Sequence, residues 1–340
     1  MKVILVGHGM VAATHVAALV ESPNLELVGV LGRNAERVTD FIQVHGIEAT
    51  VFTKIEDAVR AEPDFVVLTT PPNARLEFIE AFAAAKIPVL IEKPLERSLE
   101  QAKHIVDICT ASGTLAGVVF QHRMRAASLK LKDLIGKGEL GRLVATEIRV
   151  PWWRPQSYYD QPGRGAYDRD GGGVMINQAI HTLDLALWMM GPVTKVQAHM
   201  ITTELHQMES EDWASALLEF TEGTVGTMTS TVSFYPGAAE SLAIQGTEAH
   251  AHLEGGVLSI KYLDGRKETF GETAIGTGGG ADPMAFTHAW HQAVIEDFAS
   301  ALTNGREPVC TARDALNAHA VIDAMERASK AKHLVEVKAI

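Results

Sequence analysis

A chain of 340 residues with 46% hydrophobic side chains is long enough for two domains with sizeable cores. Its net charge of −12 argues against a nucleic-acid partner; the most basic stretch, residues 129–142, has the spacing of a solvated helix face and its turn. No apolar run reaches the roughly 18 residues that span a bilayer, and no signal-peptide cleavage pattern follows the N-terminus, so a cytoplasmic protein without membrane contact is expected. Cys109 and Cys310 are the two cysteines, too few for a disulfide framework, and they read as small buried residues.

The chain opens with an apolar run, Val3 to Val6, ending in Gly7-His8-Gly9-Met10-Val11-Ala12, and a helical pattern follows. Strand, glycine turn and helix are the context in which G-x-G-x-x-G/A binds a dinucleotide. Gly7 permits the tight turn, Gly9 lets the backbone approach a pyrophosphate, and Ala12 lets helix pack on strand. The N–H groups at Met10, Val11 and beyond would face the phosphates. The plain alternative is an ordinary strand–helix turn.

The next segments repeat the alternation. Strands are expected at Glu26–Leu31, 51–52, Phe65–Thr69, Val89–Ile91 and Leu115–Phe120. Helices are expected between them: one at 34–45 capped by Asn34, one at 54–62 capped by Thr53, one after Asn73, and one after Ser98 reaching Ser112. Alternation of this kind means a doubly wound parallel sheet, here over residues 1–120. Ligands of such sheets lie at the carboxyl ends of the strands. That edge carries the glycine turn, Gly32–Arg33–Asn34, Thr70–Pro71–Pro72–Asn73, Glu92–Lys93–Pro94 and Gln121–His122–Arg123. After the second strand no carboxylate stands where a ribose 2′-OH would be bound; Arg33 and Asn34 stand there, which favours NADP(H) over NAD(H). Lys93 lies between a core strand and Pro94, which biases it to extended geometry and makes a cis Lys93–Pro94 bond a candidate.

Beyond Arg123 a helix near Ala127–Ile135 is followed by alternating strands at Val144–Val150, 195–202, Trp213–Phe220, 225–232, 241–245, 251–253 and 258–262. Residues 288–304 and 312–331 read as closing helices, and GTGGGAD, 276–282, as a mobile loop. A helix is expected at Met175–Met190. On it Asn177, His181, Asp184 and Trp188 recur on one face, while Ile176, Ile180, Leu183 and Leu187 form a separate apolar stripe. Gly171–Gly173 would bring that chain close to a ligand. A structural His181–Asp184 pair is the plainer reading. No His, Cys or Glu cluster has metal-site spacing, so no metal is expected.

GHGMVA, TTPPN, IEKP, DGGGVMINQAIHTLDLALWMMG at 170–191 and ESEDWASALLEFTEGTVGTM at 209–228 come in an order that resembles the glucose–fructose oxidoreductase/inositol dehydrogenase/MocA family. The resemblance covers essentially the whole chain. It implies an α/β protein with an N-terminal Rossmann dinucleotide-binding domain, 1–120. A C-terminal α+β domain, 121–340, would bear a large, mostly antiparallel open-faced sheet. It implies hydride transfer between nicotinamide and a monosaccharide, polyol or sugar derivative, and a homodimer or homotetramer. The cofactor would meet Gly7, Gly9, Met10, Val11, Gly32, Arg33, Asn34, Thr70, Pro71, Asn73, Glu92, Lys93 and Gln121. Alcohol oxidation releases a proton with the hydride, so a base must meet the hydroxyl, and Lys93 and His181 are the expected proton-transfer groups. Asp184 would orient His181 or meet substrate. Asn177 stands where relatives often carry Asp; an amide accepts no proton, so it orients substrate or cofactor. Trp153, Arg154 and Arg123 complete the expected substrate contacts, with Tyr158, Tyr159, Arg164, Tyr235 and His288 as further lining candidates. A nucleotide-binding regulator without turnover and a redox-neutral glycosidase are the competing readings.

Overall fold

A computed structural model describes residues 1–272, 279–280, 284 and 286–340. Of the expected mobile loop 276–282, all but Gly279 and Gly280 lies outside the described residues. The chain divides into two compact units. Unit 1 comprises Met1–Glu96, Glu100–Gln121 and Thr287–Ala315; unit 2 comprises Arg97–Leu99, His122–Phe286 and Leu316–Ile340.

In unit 1 the order is β1 (Lys2–Val6), α1 (Ala12–Glu21), β2 (Glu26–Leu31), α2 (Ala35–Val44), β3 (Thr50–Phe52), α3 (Ile55–Arg60), β4 (Phe65–Leu68), α4 (Leu76–Ala84), β5 (Val89–Ile91), α5 (Leu99–Ser112) and β6 (Ala116–Val118). The six strands form one parallel sheet in the order β3-β2-β1-β4-β5-β6, the doubly wound arrangement the apolar runs imply. Val3 to Val6 and Phe65 to Leu68 are fully buried, as strands covered on both faces must be. The register places Leu31, Val6, Leu68, Ile91 and Val118 side by side. The residues that follow them, Gly32, Gly7, Thr69, Glu92 and Val119, therefore begin the carboxyl edge together. The order reverses between β1 and β4, which is where such sheets bind ligands. Helix α9 (Ala289–Asn304) packs on α1 within this unit.

Of the two expected helix caps, one holds and one does not. Asn34 does cap α2, its side chain accepting from the Arg37 N–H at 3.0 Å. Thr53 does not cap α3: that helix starts at Ile55 behind Lys54, with no side-chain capping bond.

Unit 2 contains α6 (Ala126–Gly136), β7 (Leu143–Pro151), α7 (Gln156–Tyr159), α8 (Ile180–Met190), β8 (Val193–Ile201), β9 (Trp213–Phe220), β10 (Val225–Thr231), β11 (Ser241–Gly246), β12 (Ala249–Glu254), β13 (Val257–Tyr262) and β14 (Lys267–Phe270). Helix α10 (Ala312–Ala331) and β15 (Val335–Glu336) end the chain. The sheet has nine strands in the order β14-β13-β12-β11-β7-β10-β9-β8-β15, antiparallel except for β10 on β7. Period-2 burial is clean: on β7, Thr146, Ile148 and Val150 are buried while Glu147 and Arg149 are exposed. Helices α6 and α8 pack on this sheet. The outward row across the centre, Glu147, Thr227 and Leu217, is exposed, so the sheet is open-faced. Among the described residues no helix is long and apolar enough to cross a membrane.

Candidate active site

The glycine turn is built from geometry that side chains would obstruct. Gly7 sits at φ +97°, and a Cβ there would lie 3.0 Å from Thr69 Oγ1 and 3.1 Å from the Thr70 nitrogen. Its N–H donates to the Leu31 carbonyl at 2.9 Å, which ties β1 to β2 at the edge. A Cβ on Gly9 would meet nothing within 4 Å, so this stretch of backbone faces open space. Helix α1 starts next to it at the fully buried Ala12, with Met10 and Val11 in between; the Ala12 N–H donates to the Gly9 carbonyl, and the Thr14 and His15 N–H groups donate to that of Val11. Three buried polar atoms on neighbouring parts of this edge have no protein partner: His8 Nδ1, Thr70 Oγ1 and Gln121 Oε1. Burial, then the Arg37 charge, lowers the His8 pKa and favours a neutral ring. Open backbone leading into a helix N-terminus, with unsatisfied polar atoms beside it, fits a dinucleotide. Arg33, Pro71 and Asn73 are exposed on this edge; the Asn34 side chain is committed to capping, and Gly32 packs closely under His8.

The Glu92–Lys93–Pro94 turn follows β5, with a cis Lys93–Pro94 bond. Glu92 is buried; its Oε1 meets His15 Nε2 at 2.8 Å, and its Oε2 accepts from the Lys93 N–H at 3.0 Å. His291 on α9 brings Nε2 to 3.7 Å from the same Oε1, and the two imidazoles stand edge to face at 5.2 Å. Burial pushes the Glu92 carboxyl up, but the His15 hydrogen bond, with charge from His15, His291 and Lys93, holds it at about 2. Burial, then the His15 charge, drives His291 down to about 3. These three side chains, with ligand atoms all within 4.8 Å of one another, have the chemistry of a metal-ligand set. Both carboxylate oxygens already accept hydrogen bonds, so the cluster as built ties α1 to β5. Lys93 itself is half-buried at the edge.

In unit 2 the segment expected as one helix is not uniform. Met175–Ala179 is a π-helical turn, and regular α-helix begins at Ile180. The wider turn shifts Asn177 from its α-helical place relative to His181. The two separate stripes do not survive either: every residue from Ile180 to Leu187 is buried, polar and apolar alike. A helix buried all round needs partners for its polar groups. Asp184 takes Arg123 in a two-pronged pair, Nε–Oδ2 2.7 Å and Nη2–Oδ1 2.6 Å. His181 stacks on His122, ring centroids 5.0 Å apart and 28° between planes. His122 Nε2 lies 2.7 Å from an Arg125 nitrogen, and Arg125 pairs with Glu240 at 2.5 Å. Asn177 turns its amide back to the Gly172 and Gly173 carbonyls at 2.7 and 3.1 Å.

Glu211 explains why that loop needs glycine. Its carboxylate accepts from the N–H groups of Gly173 at 3.2 Å and Met175 at 2.9 Å, and its carbonyl from Val174 at 2.9 Å. A Cβ on Gly173 would lie 1.8 Å from that carbonyl oxygen. Burial pushes the Glu211 carboxyl up to about 7, with Glu326 adding to it against the Met175 and Gly173 N–H groups.

Trp153 and Arg154 leave β7 beside Ser233. Arg154 is buried, donates to its neighbour's carbonyl at Trp153 and to Gly280, and lies over the rings of Trp152 and Tyr158. Trp153 packs against Tyr235 and His206. His206 meets Asp212 at 2.8 Å through Nδ1 and the Arg154 carbonyl at 2.8 Å through Nε2. Burial lowers the His206 pKa, but these bonds outweigh it and raise it, while His206, Ser233 and Thr203 hold the buried Asp212 at about 2. Of the other lining candidates, Arg164 lies over Tyr158, Tyr159 abuts His206, and His288 pairs with Glu21 at 2.9 Å.

Sequence reasoning placed His122 on the carboxyl edge without a role and did not single out His15, His291, Arg75, His206 or Glu211. His15 gave the clearest signal, a lone imidazole on an otherwise apolar helix.

Comparison with known proteins settles the family. Residues 1–120 match the description "Oxidoreductase family, NAD-binding Rossmann fold", and residues 128–252 match the "GFO/IDH/MocA C-terminal domain". The chain belongs to the GFO/IDH/MocA family. It is 23% identical to inositol 2-dehydrogenase of Rhizobium meliloti over 98% of each chain. It is 25% identical to scyllo-inositol 2-dehydrogenase (NAD(+)) of Bacillus subtilis over 93% of this chain and 90% of that one. Among solved structures, the WlbA dehydrogenase of Bordetella pertussis, in complex with NADH and UDP-GlcNAcA, is 27% identical. That match has a TM-score of 0.83 and covers 100% of this chain and 99% of the other. Levoglucosan dehydrogenase, solved with NADH and levoglucosan, shares the fold at TM-score 0.88 over the full length of both chains, with 20% identity.

Proposed function

We propose that this protein is a nicotinamide-dependent dehydrogenase or reductase acting on a hydroxyl or keto carbon of a monosaccharide, polyol or sugar derivative. The reading is carried by Lys93, the second residue past the aligned strand ends, on an edge whose glycine turn suits a dinucleotide. The names of the relatives, dehydrogenases of inositols and sugars, support the substrate class.

A bound nicotinamide supplies the hydride acceptor or donor. Residues 1–120 hold the nucleotide, through the backbone at Gly7, Gly9, Met10 and Val11 and the polar groups at Thr70 and Asn73, with Gln121 just beyond them. Residues from 121 onward hold the substrate, with Asn177, Trp153, Arg154, Arg123 and Asp184 shaping its site. As the carbon loses a hydride its hydroxyl must lose a proton, and Lys93 and His181 are the groups proposed to take it and to return it in reduction. In its neutral form the Lys93 amine has the lone pair that accepts such a proton. As a cation it stabilises alkoxide character on the reacting oxygen. The backbone N–H of Lys93 bonded to the Glu92 carboxylate leaves the side chain with a fixed starting point.

NADP(H) is the proposed nucleotide, supported by the exposed Arg33 after β2 and the lack of a carboxylate there. Tighter binding of NADH than NADPH to the purified protein overturns this part alone. The open sheet face supports a homodimer or homotetramer, and light scattering showing a monomer at micromolar concentration would remove that proposal. The function is tested by a rate panel of sugars, inositols, sugar acids and anhydrosugars with each nucleotide, followed at the nicotinamide absorbance. Turnover with one substrate class that is lost in Lys93→Met is the expected result. Full turnover in Lys93→Met overturns the role of Lys93.

A further inference from the structure

We propose that Arg75 is a positioning residue for Lys93. The proposal rests on the reading of Lys93 as a proton-transfer group. Arg75 stands just before α4 and is one of the largest fully buried side chains of the protein, at 2% exposure. A guanidinium so deep would ordinarily be found against a carboxylate. Here its hydrogen bonds go to backbone carbonyls: Nε donates to Thr70 at 2.9 Å, and Nη1 to Glu92 at 2.5 Å, to Pro94, and to Leu95 at 3.4 Å. Glu92 and Glu96 supply compensating charge nearby. Burial lowers the Arg75 pKa to about 10 against those two carboxylates, so the group remains a cation at neutral pH.

The carbonyls it holds are those immediately before and after Lys93. Beyond the end of β5 the chain has left the ladder, and buried carbonyls there need donors from elsewhere. One planar fork provides them for both flanks of a single residue. The Thr70 bond fixes the same fork to the end of β4, so the turn after β5 is referenced to the neighbouring strand's loop on the carboxyl edge. From the other side Glu92 holds the Lys93 N–H and is itself held by His15. The Glu92–Lys93 peptide is thus held at both its carbonyl and its N–H, and the Pro94–Leu95 peptide at its carbonyl, while the Lys93 side chain is half-buried. Lysine at position 75 would keep the charge but has three donors on a flexible stem and cannot reproduce the fork. Misplacing a reacting group by about 1 Å costs on the order of a hundredfold in rate.

The test is a double-mutant cycle on turnover, run with the substrate found in the panel above. Arg75→Gln should lower kcat about 10- to 100-fold with nucleotide Kd changed less than about twofold. In the Lys93→Met background the same substitution should change the residual rate less than about twofold, because Arg75 acts through Lys93. Multiplicative losses in the double variant mean a general structural role and overturn the proposal. So does Arg75→Gln turning over at the wild-type rate while Lys93→Met is slow. Full activity in Lys93→Met instead removes the parent reading, so the two failures are distinct. Should Arg75→Gln not fold, Arg75→Lys takes its place in the same cycle, and wild-type kcat in that variant overturns the proposal.

Discussion

Arg123 and Asp184 give the sharpest quantitative expectation. Their side chains are 3% and 1% exposed, and both prongs of the guanidinium meet the carboxylate at 2.6–2.7 Å. If the pair were on the surface, removing either partner would cost under about 1 kcal/mol. Buried as it is, Arg123→Met takes the two-pronged cationic partner from a carboxylate inside helix α8's packing, and Asp184→Asn takes the anionic partner from the guanidinium; each should cost about 3–5 kcal/mol. That is a large share of the roughly 5–15 kcal/mol by which a domain is stable. The double variant strands no charge, so it should cost at least about 2 kcal/mol less than the sum of the singles. Trp188 lies on the same helix, 5.6 Å below the Arg123 guanidinium and 5.1 Å from Lys132 Nζ, and its fluorescence should report loss of this packing. Urea unfolding at neutral pH, followed at tryptophan emission for the wild type, both singles and the double, measures the cycle. Adding about 0.5 M salt should leave the coupling standing, since screening acts weakly on buried pairs. Single losses below about 1 kcal/mol, or additive ones, would refute the reasoning.

Three other expectations concern groups outside that pair. His291 has a folded pKa of about 3 against an ordinary 6.5, so the unfolded chain binds its proton first and the wild type loses stability as pH falls from 6.5 toward 3. His291→Gln should flatten that loss by roughly 1.4 kcal/mol per pH unit between pH 6 and 4.5, read from urea midpoints; an unchanged acid slope contradicts it. Glu211 runs the other way. Its carboxyl is raised from 4.5 to about 7, so the stability tied to its protonated form is full below pH 4.5 and lost as pH rises through 7. Relative to wild type, Glu211→Gln should therefore gain roughly 3 kcal/mol between pH 4.5 and 8, seen as a widening Tm difference, and a constant difference would count against it. Finally, Gly173→Ala meets a carbonyl 1.8 Å from its new Cβ and should lose about 3 kcal/mol or more, whereas Gly9→Ala meets nothing within 4 Å and should melt like wild type. Calorimetry of the two variants side by side decides it.

What the sequence made legible follows from how each element is stabilised. The parallel strands are covered on both faces, so β1, β4 and β5 appear as unbroken apolar runs, and the residues after those runs name the carboxyl edge by themselves. The antiparallel strands alternate, and β7, β9 and β10 show it plainly. The edge strand β14, Lys-Glu-Thr-Phe with every residue exposed, has no such pattern, and β15 is two residues long; neither has a burial signal to read. The π turn at Met175–Ala179 escapes for a different reason: it depends on Glu211 capping N–H groups from 36 and 38 residues away, not on local periodicity. Buried charge has the same character. His15 and Glu92 are 77 residues apart, Arg123 and Asp184 are 61, Arg125 and Glu240 are 115, and nothing local in either partner names the other. Arg75 is the extreme case, since its bonds go to carbonyls that any residue supplies and leave no pattern of residue types. Local periodicity therefore reveals where Lys93 and His181 stand, while the groups that hold them there emerge only once the chain is folded.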